Sequence, residues 1–463
     1  MAVSPARIAA FKALSAVARE SADLPSALAH ARDRLHDERD RALTATIVTG
    51  TLRWQRTLDH LIAHVANRPL SKLDAAVVVI ARLSLFQILH LDRVPAAAVV
   101  DDAVNLTRTA KVQSAGGFVN AVLRSTLRQR HRLPLPERPT AIDARREDAL
   151  KYLGITLSHP DWLAARWLDR WGFEHTEQWM QFNNQPAPLT LRVNRLRASR
   201  DTVQRGLDDE DVITEPTRYA PDGLIVTSGN PLRRTGDGTF LVQDEASQLV
   251  ALTLDAKPGE RILDLCASPG GKTVAIAASM NDSGLLVASD VRPKRVALMR
   301  DTIRSSGATH VRLVHVPREG ELPFGRVFDR VIVDAPCSGL GTLRRDPDIK
   351  WRRTEDELPA LAATQIDLLT RAAAVVRPGG RIVYATCSSE PDENDDVVGA
   401  FLARHPEWRA IDLRGEAPAG VRDVLDEHGT LRTLPFTHGL EAFYAVALGS
   451  DRGQTPVTDR LKV

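Results

Sequence analysis

The sequence predicts a multidomain chain. It begins with an all-α bundle, continues through a small α+β connecting domain, and ends in an α/β domain built on an open, mostly parallel sheet. Three observations predict this. Residues 4–130 carry Ala, Leu, Val and Arg at three- and four-residue spacing, the period of a helix with one apolar face. A segment with Pro134, Pro136 and Pro139 interrupts that pattern and reads as a linker. Beyond residue 240, short apolar runs alternate with helix-length segments, as in strands joined by crossover helices. The 463 residues suffice for two or three domains, which we place at 1–135, 136–238 and 239–450, with a tail at 451–463.

In the first domain, Ser4-Pro5 is a helix start. The run from Asp74 to His90 is apolar on most faces and belongs at the centre of the bundle. Pro95 opens a helix through Val104, and Gly116-Gly117 breaks the pattern before Phe118–Arg124. In the connecting domain, Trp162, Trp167 and Trp171 lie on a helix-like stretch and read as core. Leu189–Asn194 and Gly223–Thr227 read as strands. The strands of the last domain are Arg261–Leu265, Leu285–Asp290, Val311–Val316, Phe328–Asp334 and Arg381–Thr386. In such sheets ligands bind beyond the carboxyl ends of the strands, and every motif below sits at such an end.

Composition excludes several classes. Hydrophobic residues at 43% and charged residues at 26% are globular values, so general disorder and collagen-like chains are out. The three cysteines, Cys266, Cys337 and Cys387, form no disulfide framework and no C-x-x-C metal site. No metal is therefore expected, and a reducing, cytoplasmic compartment fits. The most apolar stretch, Ala75–Leu91, carries Arg82 and Gln87 and falls short of a membrane span. Arg7 and Lys12 precede any apolar core, so no secretory signal is expected. The net charge of +2 hides an asymmetry: residues 1–135 hold 19 Lys/Arg against 11 Asp/Glu, a net +8, leaving −6 for the rest. A basic end suits a nucleic-acid partner, and equally a solvated helical surface.

Asp264-Leu-Cys-Ala-Ser-Pro-Gly-Gly-Lys-Thr273 ends one strand and opens a helix. Gly270 and Gly271 allow a tight turn and close approach to a ligand. A Walker A loop would need Gly where Cys266 stands, and no G-x-G-x-x-G is present. Asp290, at the end of the next strand, is placed to accept hydrogen bonds from ribose hydroxyls. A plain β–α turn with a solvent-facing Asp is the bland alternative.

Asp334-Ala-Pro-Cys-Ser-Gly339 and Tyr384-Ala-Thr-Cys-Ser388 end the next two strands, which would bring Cys337 and Cys387 to one rim of a cleft. A lone Cys is usually a small buried hydrophobe; two at neighbouring strand ends favour chemistry. A thiolate there can attack carbon 6 of a pyrimidine, making carbon 5 nucleophilic enough to take a methyl group. The thiol must ionise, which helix N-termini or nearby Arg and Lys promote. Asp334 is the candidate to hydrogen-bond ring nitrogen 3, by being partly protonated or sharing a proton.

Residues 240–450 resemble the RNA cytosine-5 methyltransferases of the Nol1/Nop2/Sun family. The resemblance rests on these motifs together with Arg344-Arg-Asp-Pro-Asp-Ile-Lys-Trp351 and His438-Gly-Leu-Glu-Ala-Phe-Tyr444. Residues 1–130 resemble the helical RNA-binding fold of the antitermination factor NusB, through Ala81–Pro95 and Gly117–Arg124. A NusB-like domain ahead of a Rossmann-like class I methyltransferase is the layout of bacterial methyltransferases acting on small-subunit (16S) ribosomal RNA.

The resemblance implies that S-adenosylmethionine is the cofactor. It would be held by Cys266, Ala267, Ser268, Pro269, Gly270, Gly271 and Lys272, with Asp290 on the ribose and Asp334 near the transferring methyl. It assigns the nucleophile to Cys387 and adduct breakdown to Cys337. Spacing alone does not choose between the cysteines, and DNA cytosine methyltransferases attack with a Pro-Cys cysteine, so exchanged roles stand as an alternative. The family usually has an acid just after the third strand, where this chain reads Val314-His-Val-Pro-Arg-Glu-Gly320. Either Glu319 substitutes from a shifted loop or that contact is missing. Arg344, Arg345, Lys350 and Trp351 suit phosphate pairing and base stacking. The competing readings are an RNA-binding assembly factor with a decayed methyltransferase fold, and a cytosine-5 methyltransferase for another RNA such as tRNA.

Overall fold

The protein is described from a computed structural model covering residues 3–140, 145–234 and 237–450. The expected tail at 451–463 lies outside the described residues. Two compact units divide the chain: Met1–Pro186 with Leu343–Glu355, and Ala187–Thr342 with Asp356–Val463.

The first unit opens with helices Pro5–Ala18, Leu24–Asp33, Glu38–Arg53, Gln55–Ala66, Ala75–His90, Ala96–Thr109 and Gly116–Arg128. Asp23, Asp37 and Asp74 cap three of them by accepting the backbone N–H of Ser26, Arg39 and Ala76. The Ala75–His90 helix buries Val77 to Ala81 and Leu83 to Gln87, so its apolar sequence does place it at the centre. Phe86 lies so close to Gly50 that a Cβ there would sit 1.9 Å from its ring. The buried Arg7 guanidinium is held by Gln87 at 2.7 Å and Asp102 at 2.6 Å, which satisfies a charge inside the bundle.

The Pro-rich segment belongs to this unit. His60 contacts the Pro134 carbonyl at 2.8 Å, and Thr156 donates to the Pro136 carbonyl at 2.7 Å. Helix Asp161–Asn183 breaks at Gly172 (φ 74°) and buries Trp167, stacked on Trp179 with ring centroids 4.4 Å apart. Residues 136–186 thus join the helical unit, and the connecting segment is divided at Pro186.

The stretch Leu343–Glu355 also folds into this unit, which corrects one expected RNA contact, Lys350. Lys350 is 1% exposed and donates to the carbonyls of Arg53 (3.1 Å) and Ser158 (3.0 Å) and to Asn184 Oδ1 (3.1 Å). Burial, then the Arg53 guanidinium, pushes its pKa well below the ordinary 10.5. The Trp351 indole donates to the Leu52 carbonyl at 2.7 Å. Both side chains tie backbone together, and Lys350 is inaccessible to a phosphate.

In the second unit, strands β1 (Leu189–Val193), β2 (Ile213–Pro216), β3 (Gly223–Ser228) and β4 (Phe240–Val242) form an antiparallel sheet in the order β2-β3-β1-β4. Helix Arg200–Asp208 closes a small core of Leu191, Val193, Val203, Leu207 and Leu224.

The larger sheet contains β5 (Arg261–Asp264), β6 (Leu285–Asp290), β7 (Val311–His315), β8 (Phe328–Asp334), β9 (Val376–Thr386), β10 (Trp408–Ile411), β11 (Leu431–Arg432) and β12 (Tyr444–Ser450). Its order is β10-β12-β9-β8-β5-β6-β7, with β11 paired to β12. Strands β5 to β9 pair in parallel, and β12 and β10 add antiparallel at one edge. The order reverses between β8 and β5, and a crevice opens at the carboxyl ends of strands flanking such a point.

If Lys350 is a structural strut, Lys350→Ala strands three carbonyl-type oxygens and should destabilise the chain by about 2–4 kcal/mol in urea unfolding. Unchanged stability would remove that role.

Candidate active site

The glycine turn is built by the sheet around it. Past β5, Leu265 N donates to Ile332 O (3.0 Å) and Ala267 N to Ser289 O (2.9 Å). Gly270 adopts φ 101°, a conformation that favours glycine, and helix Gly271–Ser279 follows. Arg192 of β1, 3% exposed, donates to the Gly271 carbonyl at 2.6 Å and also to Gln243. Ala267 and Gly270 are buried, Cys266, Ser268, Gly271 and Lys272 half-buried, and Pro269 exposed. Burial and then the acids Asp264, Asp334 and Asp290 push the Cys266 thiol far up, so it is no nucleophile.

Three carboxylates end three strands. Asp290 is 5% exposed and accepts the Arg292 N–H at 2.9 Å. Asp334 pairs with Lys272 at 2.7 Å. Asp264 is fully buried; its Oδ2 accepts from Thr273 at 2.7 Å, and its Oδ1 has no partner. Burial pushes the Asp264 carboxyl up to about 7, opposed by the Thr273 hydrogen bond and reinforced by Asp334. Burial alone would lower the Lys272 ammonium; the Asp334 carboxylate outweighs it, Cys387 adds, and the net direction is upward.

Cys337 and Cys387 meet, with sulfurs 3.2 Å apart. The Cys337 thiol is pushed well above its usual value, first by its hydrogen bond to Cys387 and then by burial. Glu319 is exposed, on a loop whose Pro317 and Arg318 carbonyls accept from Arg371 at 2.7 and 2.9 Å. Arg344 and Arg345 are half-buried in the first unit, Arg344 lying 4.3 Å over the Phe182 ring and donating to Pro186 O at 2.8 Å. Among the described residues no group of three or more His, Cys, Asp or Glu can hold a metal ion, and no helix is long and apolar enough to cross a membrane.

A family model described as 16S rRNA methyltransferase RsmB/F matches residues 251–449. A NusB family model matches 4–128, and an RsmF/B-like ferredoxin-like domain matches 159–233. The ribosomal RNA small subunit methyltransferase B of Pseudomonas putida is 35% identical over 450 residues, covering 96% of this chain and 98% of that protein. The chain belongs to the RsmB/F methyltransferase family. A family relative from Bacillus subtilis, a probable ribosomal RNA small subunit methyltransferase B, is 34% identical over 89% of this chain and 91% of its own. The crystal structure of PH0851 superposes with a TM-score of 0.79 at 25% identity, over 97% of this chain and 99% of that one. A methyltransferase homolog from Pyrococcus horikoshii gives 0.56 at 26% identity, over 66% of this chain and all of that one (100%). The helical N-terminus, ferredoxin-like middle and methyltransferase domain are those of the family.

The motifs did not single out Arg192, the orphaned Asp264 oxygen, or a buried glutamate, Glu393, behind the cysteines. Asp264 opens a quoted motif, so an acid at a strand end was its signal. Arg192 and Glu393 act from a distance in sequence and leave no local pattern.

Because the Asp264 carboxyl is raised from 3.8 to about 7, the unfolded chain loses this proton first as pH rises. Its contribution to stability is full below about pH 4 and falls until about pH 7. Without cofactor, Asp264→Asn should lose about 3 kcal/mol less than the unaltered protein between pH 5 and pH 8 in urea unfolding. Parallel pH curves would contradict the shift.

Proposed function

We propose that this chain transfers a methyl group from S-adenosylmethionine to carbon 5 of a cytosine in small-subunit (16S) ribosomal RNA, through a transient bond between Cys387 Sγ and carbon 6. The observation that carries this reading is the pair of sulfurs 3.2 Å apart, one strand end from the Lys272–Asp334 ion pair.

The cofactor fits the residues present. It is a sulfonium with an ammonium and a ribose, and Asp264, Asp290 and Asp334 offer acceptors, one of them an unpartnered buried oxygen. Cys266, Ala267, Ser268, Pro269, Gly270, Gly271 and Lys272 would hold it, with Asp290 on the ribose hydroxyls and Asp334 near the methyl. When bound, it supplies an electrophilic methyl group.

The chain's own groups do the rest. Cys387, as thiolate, adds to carbon 6. The Lys272–Asp334 pair offers a proton toward ring nitrogen 3 as electron density moves to carbon 5. After methyl transfer the carbon 5 proton passes to solvent with help from Cys337, nitrogen 3 returns its proton to the Lys272–Asp334 pair, the carbon 6–sulfur bond breaks, and Cys387 departs as thiolate. The target base must first leave its stack or already be single-stranded. The names of the relatives and the NusB-like domain support ribosomal RNA as substrate. The excess positive charge of residues 1–135 suits phosphate contact and predicts salt-dependent binding. Arg344 and Arg345 remain candidate phosphate contacts.

Cys387→Ala should lower methyl transfer by about three orders of magnitude while leaving S-adenosylmethionine binding intact by calorimetry. Full activity would remove Cys387 from its role, and absent cofactor binding in the unaltered protein would favour a decayed assembly factor. Cys337→Ala should accumulate a protein–RNA adduct, seen as a shifted band on a denaturing gel. The same band from the Cys387 variant instead would exchange the two roles.

A further inference from the structure

We propose that Glu393 is a positioning residue that holds the Cys337 and Cys387 sulfurs side by side by bridging the serines that follow them. This rests on the proposed function only in taking the two sulfurs as catalytic; the bridge itself is geometry.

Glu393 is 0% exposed and sits on the turn Pro391–Glu393, past the second cysteine motif. Its Oε1 accepts the backbone N–H of Ser338 at 2.8 Å and the Gln365 amide at 3.0 Å. Its Oε2 accepts both the Ser338 and the Ser388 hydroxyls, whose oxygens are 3.2 Å apart. Ser338 follows Cys337 and Ser388 follows Cys387, so one carboxylate grips both cysteine loops. Gln365 extends the grip to the Pro336 carbonyl at 2.9 Å, and the Tyr384 hydroxyl donates to the Glu393 carbonyl.

The four groups donating to this carboxylate are neutral. Burying a carboxylate among neutral donors costs several kcal/mol, and apolar packing would stabilise a fold better. What the carboxylate offers instead is two acceptor oxygens at fixed separation, reaching donors on two loops 50 residues apart in the chain. Reacting groups displaced by about 1 Å can lose about 100-fold in rate, so spacing of this kind is worth holding.

The spacing can be read without catalysis. Diamide takes one hydrogen from each of two adjacent thiols, closing an S–S bond and becoming the hydrazine. In the unaltered protein, labelling of the three free thiols should fall quickly to one. In Ser338→Ala/Ser388→Ala, and in Glu393→Ala, closure should slow about tenfold or more, and kcat should fall by about 10- to 100-fold with KM for RNA little changed. Glu393→Gln should restore both, because the serine hydroxyls can turn to accept from its amide. Closure and kcat as fast in the double serine variant as in the unaltered protein would overturn the proposal, even if Glu393→Ala fails to fold. If Cys387→Ala kept full activity, the thiol-closure rate would still decide the bridge.

Discussion

The site depends on one constraint: β8 and β9 are neighbours, run in parallel, and end level with each other. Asp334 pairs with Ala385, and Ala335 N continues the ladder to Ala385 O at 2.8 Å. Strands so paired lie about 4.8 Å apart, so loops leaving their ends start within reach of each other. Val331, Val333, Ile382 and Tyr384 are fully buried beneath them, which gives the ladder a dry, close-packed base. Two thiols far apart in sequence meet because hydrogen-bond register carries them to one edge.

Electrostatics then divides labour between chemically identical groups. Of the sulfurs, Cys266 is silenced by burial among acids, the Cys337 thiol is pushed up by its neighbour Cys387, and Cys387 interacts electrostatically with the Lys272 ammonium. Of the acids, Asp334 has a cation, Asp290 a backbone amide, and one Asp264 oxygen nothing. Asp264 and Asp290 are buried, so their interactions are stronger than they would be at the surface.

Much of this was legible in the sequence where physics is local. The inner parallel strands β5, β6, β8 and β9 are largely buried toward their carboxyl ends, so they read as apolar runs. Their ends carried the glycine turn, Asp290 and both cysteines, and alternation with helices placed those ends on one rim. Strands β10 and β11 escaped because runs of four and two residues are too short to show a strand pattern. The basic stretch Arg344–Trp351 looked like a solvated RNA contact. A lysine that buries itself against three oxygens has the same composition as one facing phosphate, and only the folded partners, Arg53, Ser158 and Asn184, distinguish the two. Arg192 and Glu393 were illegible for the same reason: the Gly271 and Ser338 groups they hold lie 79 and 55 residues away.

The excursion Leu343–Glu355 makes the two units topologically inseparable. No single cut in the polypeptide releases a complete helical unit, since its last piece is encoded inside the other unit's stretch. A fragment stopped at Pro186 would lack Lys350 and Trp351, leaving the Leu52, Arg53 and Ser158 carbonyls without those donors. During synthesis the helical unit also waits, unfinished, until most of the second unit has left the ribosome. Maturation of the two halves is thereby tied to a common schedule.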